Sequence, residues 1–203
     1  MKKSAVILAL AALGLASQAM AQQSPWQVRA RAVYIDPADK SDAGGPLNLP
    51  GDAITVSNKT IPEVDISYFF SPNIAAELIL TYPQKHDVYL SGNKIGTLKH
   101  LPPTLTLQYH FTPAAKVSPY VGAGVNYTTF SSVNLLNGAA TLEHDSVGLA
   151  LQAGVDFKID RNWSFNVDVK KVQIRSDVMA SGAKVSAVKV DPLLVGVGFG
   201  YRF

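Results

Sequence analysis

From Val188 to Phe203 the chain alternates with a period of two. Phe203, Tyr201, Phe199, Val197, Val195 and Leu193 share one face, while Arg202, Gly200, Gly198, Gly196, Leu194 and Pro192 share the other. Successive side chains on a strand point to opposite sides, so this segment reads as a strand with one greasy face and one small or polar face. A strand of about ten residues, tilted, is long enough to cross a hydrocarbon core. With no tail after the aromatic Phe203, the last strand is expected to close a sheet upon itself.

The same alternation recurs in seven further segments. The strongest is Val147 to Ile159, where every odd position is apolar and the even positions are Gly148, Ala150, Gln152, Gly154, Asp156 and Lys158. Upstream, Trp26, Val28, Ala30, Ala32 and Tyr34 alternate with Gln27, Arg29 and Arg31, although Val33 and Ile35 blur the pattern. Val64, Ile66, Tyr68 and Phe70 alternate with Glu63, Asp65 and Ser67, and Ile74, Ala76, Leu78, Leu80 and Tyr82 with Glu77 and Thr81. Leu105, Leu107, Tyr109 and Phe111 oppose Thr104, Thr106, Gln108 and His110; Val121, Ala123, Val125 and Tyr127 oppose Gly122, Gly124 and Asn126. In the seventh strand Trp163, Phe165, Val167 and Val169 face away from Ser164, Asn166, Asp168 and Lys170. Its phase then slips at Lys170-Lys171, which reads either as a β-bulge or as the strand leaving the membrane.

Connector lengths alternate as well. Ser71-Pro72-Asn73, Asp160-Arg161-Asn162 and Thr112 to Ser118 are short, whereas Asp36 to Thr60, Pro83 to Leu101, Ser131 to Ser146 and Ser176 to Ala187 are long and loop-like in composition. Trp26, Phe70, Phe111, Tyr120, Trp163, Tyr201 and Phe203 fall near the short turns, as an interfacial aromatic girdle would. The pattern predicts an all-β fold, an eight-stranded antiparallel transmembrane β-barrel with short periplasmic turns and long extracellular loops.

Composition adds a compartment. Met1-Lys2-Lys3, the apolar run Ala5 to Ala16 and Ala19-Met20-Ala21 have the layout of a cleaved secretory signal peptide over residues 1–21, leaving residues 22–203 as the barrel. Removing Lys2 and Lys3 lowers the formal charge from +3 to +1, so a nucleic-acid footprint is not expected. The absence of cysteine excludes a disulfide framework and a thiolate metal site.

On this register the interior is lined by Arg29, Arg31, Lys158, Lys170 and Arg202 against Glu63, Asp65, Glu77, Asp156 and Asp168, with His110 on the same side. An eight-stranded barrel is only just wide enough for side chains to fill, so these charges are expected to pair and plug the bore. Pro62, Pro83, Pro102, Pro103 and Pro192 lie in or beside strands near the long loops. Each lacks a ladder donor, so pairing should weaken there, with Pro83, Pro102 and Pro103 marking a candidate lateral opening.

Catalytic and cofactor patterns are poor. His86, His100 and His144 fall in or near the long loops, and no His-x-x-x-His, Glu-x-x-His, Gly-x-Ser-x-Gly or P-loop spacing occurs. No enzyme activity, metal or cofactor is expected. The glycine sets Gly122/Gly124 and Gly196/Gly198/Gly200 alternate within strands with no helix after them, so they are interior positions and not a nucleotide fingerprint.

The chain resembles the outer membrane protein W (OmpW/AlkL) family of small barrels. The similarity runs over the mature chain and is carried by His100-Leu101-Pro102-Pro103-Thr104-Leu105, Pro119 to Thr128, Gly154-Val155-Asp156 with Asn162-Trp163, Val190-Asp191-Pro192 and the closing Gly200-Tyr201-Arg202-Phe203. The resemblance implies an outer-membrane channel for passive uptake of small, mainly hydrophobic solutes, received by an extracellular funnel and released sideways into outer-membrane lipid. The other reading is a structural or receptor barrel whose loops, near Asn134 to Ala140, bind phage, bacteriocin or host components without transport. The first long loop, with Gly44-Gly45-Pro46 and Leu47-Asn48-Leu49-Pro50, carries no usable ligand signature.

Overall fold

The computed structural model describes residues 23–43, 50–138, 140–180 and 183–203. The expected signal peptide and most of the Gly44–Pro50 segment lie outside the described residues. Fifteen strands form one antiparallel sheet. In chain order they are β1 (Trp26–Asp36), β2 (Lys40–Ser41), β3 (Ile54–Val56), β4 (Lys59–Phe69), β5 (Ile74–Leu80), β6 (Gln84–Leu90), β7 (Asn93–Leu101) and β8 (Thr104–His110). Then come β9 (Val117–Leu135), β10 (Ala140–Leu142), β11 (Asp145–Lys158), β12 (Trp163–Val172), β13 (Arg175–Ala180), β14 (Ala183–Lys189) and β15 (Leu193–Arg202).

Eight of these close a ring in the order β1, β4, β5, β8, β9, β11, β12, β15 and back to β1. The closing ladder runs from Gln27 opposite Arg202 to Asp36 opposite Leu193, and Ser24 N donates to the Phe203 carbonyl at 2.6 Å. A closed cylinder leaves no unpaired edge in the hydrocarbon, where every orphan backbone group would cost several kcal/mol, roughly. The outer skin is apolar: Leu78, Leu107, Val125, Leu149 and Val197 are all exposed. At the short-turn end the rings of Trp26, Tyr68 and Phe70, and of Trp163, Tyr201 and Phe203, meet edge to face in ladders, forming the expected girdle.

Side chains build the tight turns. Asp160 Oδ1 accepts from the backbone N–H groups of Asn162 and Trp163 at 2.8 and 2.7 Å, and Asn73 Nδ2 donates to the His110 carbonyl at 2.7 Å. Glycines on the inner face let neighbouring strands close up. A Cβ at Gly124 would collide with the Leu105 carbonyl, and one at Gly198 with the Ala30 carbonyl.

Three expectations are corrected. The long connectors are largely not loops: β6 and β7 form a hairpin, β13 and β14 another, and both carry the sheet beyond the ring as an upper storey. Side chains link this storey across β2 and β3, where Ser41 Oγ accepts from Ile54 N and Asp39 Oδ1 from Val56 N. At Lys170-Lys171 there is neither a bulge nor a phase slip. The β11–β12 register runs unbroken to Ala150 opposite Val172, and Val172 and Ile174 stay inside. What changes is the interior, which turns from charged to apolar at that height. Tyr120 is not a girdle residue. It shares the even, inward parity of Gly122, Gly124 and Asn126 and is 1% exposed in the bore.

Candidate functional site

The bore has three levels. At its centre Arg29 and Arg31, two positions apart on β1, point inward and are buried. Arg29 Nη1 lies 2.5 Å from Glu77 Oε2, and its Nη2 lies 2.8 Å from Asp156 Oδ2. Arg31 faces four carboxylates: Glu63 at 3.2 Å, Asp65 at 2.5 Å, Glu77 at 3.3 Å and Asp168 at 3.3 Å. The Asp65 contact lies off the hydrogen-bonding direction, so it is an ion contact without an aligned hydrogen bond. Lys170 Nζ bridges Glu63 at 2.5 Å and Asp168 at 3.1 Å.

Three cations therefore face five carboxylates in the plug, and neutral donors make up the difference. Gln152 Nε2 donates to Glu77 and Asp168 at 2.9 and 2.8 Å, Tyr120 Oη to Asp168 at 3.1 Å and Asn166 Nδ2 to Asp156 at 2.9 Å. Sequence reasoning did not single out Tyr120, Gln152 and Asn166 as plug residues, although each has the inward parity of its strand. Charges buried this deeply hold only when paired; each of these has an ion partner, and all but Asp65 also have a hydrogen bond.

The other predicted lining residues lie at the short-turn mouth. Lys158 is half-buried and donates to the Pro113 carbonyl. Arg202 is also half-buried and stacks over the Phe69 ring at 3.9 Å. The expected five-against-five balance is thus split between plug and rim. His110 is buried between them, its ring 4.9 Å from Tyr120 and 5.1 Å from Phe69.

Above the plug the interior is apolar. Ile35, Ile61, Ile79, Val172, Ile174 and Leu194 line a cavity of about 30 Å³, with Glu63, Lys170, Thr81, His100, Thr104 and Asn126 as its polar walls. That volume exceeds the ~10–15 Å³ needed for one water. The odd positions Val33 and Ile35, which blurred the first strand, belong to this level and are buried.

The wall is weakest beside this chamber. Pairing of β4 with β5 ends at Val64 opposite Leu80, and the ladder between β5 and β8 ends at Ile79 opposite Thr104. Lys59 to Glu63 then face Thr81 to Lys85 without a ladder, joined by Thr81 Oγ1 to the Pro62 carbonyl at 3.1 Å and Lys59 Nζ to the Lys85 carbonyl at 3.2 Å. Pro83 is exposed on this seam; Pro102 and Pro103 are half-buried where β7 passes into β8. On the far side of the two prolines the wall is re-tied. Asn126 Nδ2 donates to both proline carbonyls at 3.2 Å, and Tyr127 N donates to the Pro103 carbonyl at 3.1 Å.

Beyond the outward belt of Tyr34, Tyr82 and Tyr127, His86 and His100 stack inside the upper storey, centroids 4.8 Å apart. Sequence reasoning placed both in loops; on β6 and β7 they have inward parity. His86 Nδ1 meets the Ser57 carbonyl at 2.7 Å. Burial, then the neighbouring His86 and Lys59, holds the His100 imidazole down to about 3. The folded form thus refuses a proton that the unfolded chain accepts below about 6.5. Stability of this storey should fall as pH drops through that value, by on the order of 2 kcal/mol at pH 5. Protease cleavage at Lys94 and Lys99 of bilayer-embedded protein is expected to speed up between pH 7 and pH 5, and His100→Phe should lessen the acceleration, the rest coming from His86, which burial also holds below its ordinary value. An equal acceleration in the variant would show that another group is responsible. Among the described residues no group of three His, Asp or Glu side chains could hold a metal ion.

The OmpW family profile matches residues 22–203. The chain belongs to the OmpW family. It is 43% identical to an uncharacterized outer-membrane protein, y4mB, of Sinorhizobium fredii, over 89% of this chain and 80% of that protein. It is 34% identical to outer membrane protein W of Vibrio cholerae, over 96% of this chain and 95% of that one. The crystal structure of outer membrane protein OprG from Pseudomonas aeruginosa superposes with a TM-score of 0.78 at 29% identity, covering 90% of this chain and 97% of OprG. This OmpW-family barrel resides in the outer membrane.

Proposed function

We propose that this OmpW-family barrel is a passive channel for small, mainly hydrophobic molecules, which enter from the long-hairpin end and leave sideways into the membrane. One arrangement carries the reading: a small cavity walled on one side by isoleucines, valine and leucine sits on a floor of paired charges, beside the stretch of wall where the ladder is interrupted. A solute reaching the chamber meets Glu63, Lys170 and Arg31 below it, and passing them would mean breaking buried ion pairs at several kcal/mol, roughly. The seam offers only two bonds in place of a five-residue ladder. On this seam Pro62 and Pro83 have no N–H to donate, and Pro102 and Pro103 lack one where the neighbouring β5–β8 ladder stops beyond Ile79–Thr104.

The chain has no cysteine, so a staple can be introduced cleanly. Extending the β4–β5 register by two residues sets Pro62 opposite Tyr82. The double variant Pro62→Cys/Tyr82→Cys, oxidised, is expected to slow uptake of an apolar solute into liposomes roughly tenfold and to recover on reduction, by analogy with loops whose gating limits throughput. Replacing Pro102 and Pro103 with valine, which restores two donors, should slow uptake in the same direction. Unchanged flux in the stapled barrel, with the disulfide verified, would refute the lateral route.

A further inference from the structure

The outward face of the β6–β7 hairpin bears a charge pattern that the transport reading does not use. Lys85 and Lys99 are direct cross-strand partners. Both have outward parity, alternating with the buried residues Gln84, His86, Leu98 and His100. Directly opposed residues in an antiparallel pair have Cβ atoms about 5 Å apart, and like charges there repel. Lys59 Nζ, bonded to the Lys85 carbonyl at 3.2 Å, brings a third ammonium to the same edge.

Elsewhere in the upper storey five cations are answered, while Lys40 on β2, like Lys85 and Lys99, has no carboxylate within 4.0 Å among the described residues. Lys94 pairs with Asp87 at 2.8 Å, Arg175 with Asp191 at 3.1 Å, Lys184 with Asp177 and Lys189 with Asp42 at 2.7 Å, and Lys171 donates to the Asp191 carbonyl. Among the described residues no carboxylate lies within 4.0 Å of the Lys85 or Lys99 ammonium. The carboxylate on the same hairpin, Asp87, is already engaged by Lys94.

Height decides what can answer them. Lys99 pairs with Ser131, four residues along β9 from Tyr127 in the outward belt. Four residues span roughly 14 Å along a strand, and a strand tilted by about 40° turns that into roughly 10 Å above the belt. That is the outer edge of the headgroup layer, and long lysine stems can reach down into it. We infer that Lys85 and Lys99 form a docking site for the phosphate of an outer-leaflet lipid headgroup, seated on the barrel wall next to the seam between β4 and β6. The occupant is a lipid because the pair lies on the outer wall directly above the lipid-facing belt and is not part of the bore. The inference holds whether or not the barrel conducts solutes.

The test uses the whole barrel in a non-ionic detergent, titrated with bisphosphorylated lipid A, with its dephosphorylated form and with inorganic phosphate. Bound lipid is counted by native mass spectrometry. Lipid A should bind the wild type, and Lys85→Gln/Lys99→Gln should weaken that binding roughly 10- to 30-fold, the loss expected for two lysines near an anionic surface. Lys85→Arg/Lys99→Arg should stay within about threefold of wild type, since the charge is kept. A change of sign marks the site as a lipid contact and not a structural pair. Without lipid the Gln variant should melt at a higher temperature than wild type, because the repulsion is gone, and with lipid A at a lower one. The proposal is overturned if the Gln variant binds lipid A as the wild type does, or if dephosphorylated lipid A binds equally well. It is also overturned if inorganic phosphate produces the same stabilisation, which would make this a free-anion site.

Discussion

Replacing Arg31 with methionine is expected to destabilise the barrel by about 3–5 kcal/mol, the usual consequence of breaking a buried ion pair from one side. Arg31 is 3% exposed and stands within salt-bridge distance of Glu63, Asp65, Glu77 and Asp168. Methionine nearly fills the volume but leaves those carboxylates with Lys170, Arg29 and neutral donors alone. The loss should appear as a lower urea midpoint for unfolding from lipid vesicles. Arg31→Lys should fall between wild type and Arg31→Met, since one ammonium cannot reach four acids as the planar guanidinium does. If Arg31→Met unfolds within about 1 kcal/mol of wild type, the charged plug is not what fills the bore.

Placing an arginine on the lipid face should cost about 2–4 kcal/mol at mid-membrane and about 0–1 near the interface. Leu107 is the mid-membrane probe. It is 58% exposed, sits between Ala76 and Ala123 on the flanking strands, and lies between Phe111 at the short-turn girdle and Tyr127 in the upper belt. Thr129, outward and exposed beyond Tyr127, is the interfacial probe. Leu107→Arg should lower unfolding stability in vesicles by about 2–4 kcal/mol, and Thr129→Arg by no more than about 1. Equal losses would mean that the apolar skin is not in contact with hydrocarbon.

Much of this architecture was legible because a barrel wall is a repetitive solution to one problem. Each wall strand separates lipid from a filled interior, so its two faces differ chemically along its whole length, and period-two alternation survives without knowledge of the partners. Arg29, Arg31, Glu63, Asp65, Glu77, Asp168 and Lys170 could be assigned to the bore in this way, and all of them are buried there. The alternation disappears where the interior itself becomes apolar. Val33, Ile35, Val172 and Ile174 looked like lost phase because a hydrophobic residue facing inward cannot be told from one facing lipid by polarity alone. The upper hairpins are hidden for a related reason. Gly, Asn, Ser and Lys are ordinary in strands that stand in water on one side, so their composition resembled that of loops.

The amino-acid sequence by itself determined the strand periodicity, the positions of the tight turns, the apolar outer skin and the set of charges turned inward, since each of these depends only on local spacing and on the chemistry of single residues. Only the tertiary structure decided which charge meets which, that Lys158 and Arg202 stand at the mouth and not in the plug, that Tyr120 completes the network, and that the seam runs between Lys59–Glu63 and Thr81–Lys85. Those outcomes depend on how strands far apart in the chain are brought side by side and in what register. Pairing is set by closure of the whole ring, so no single segment contains it.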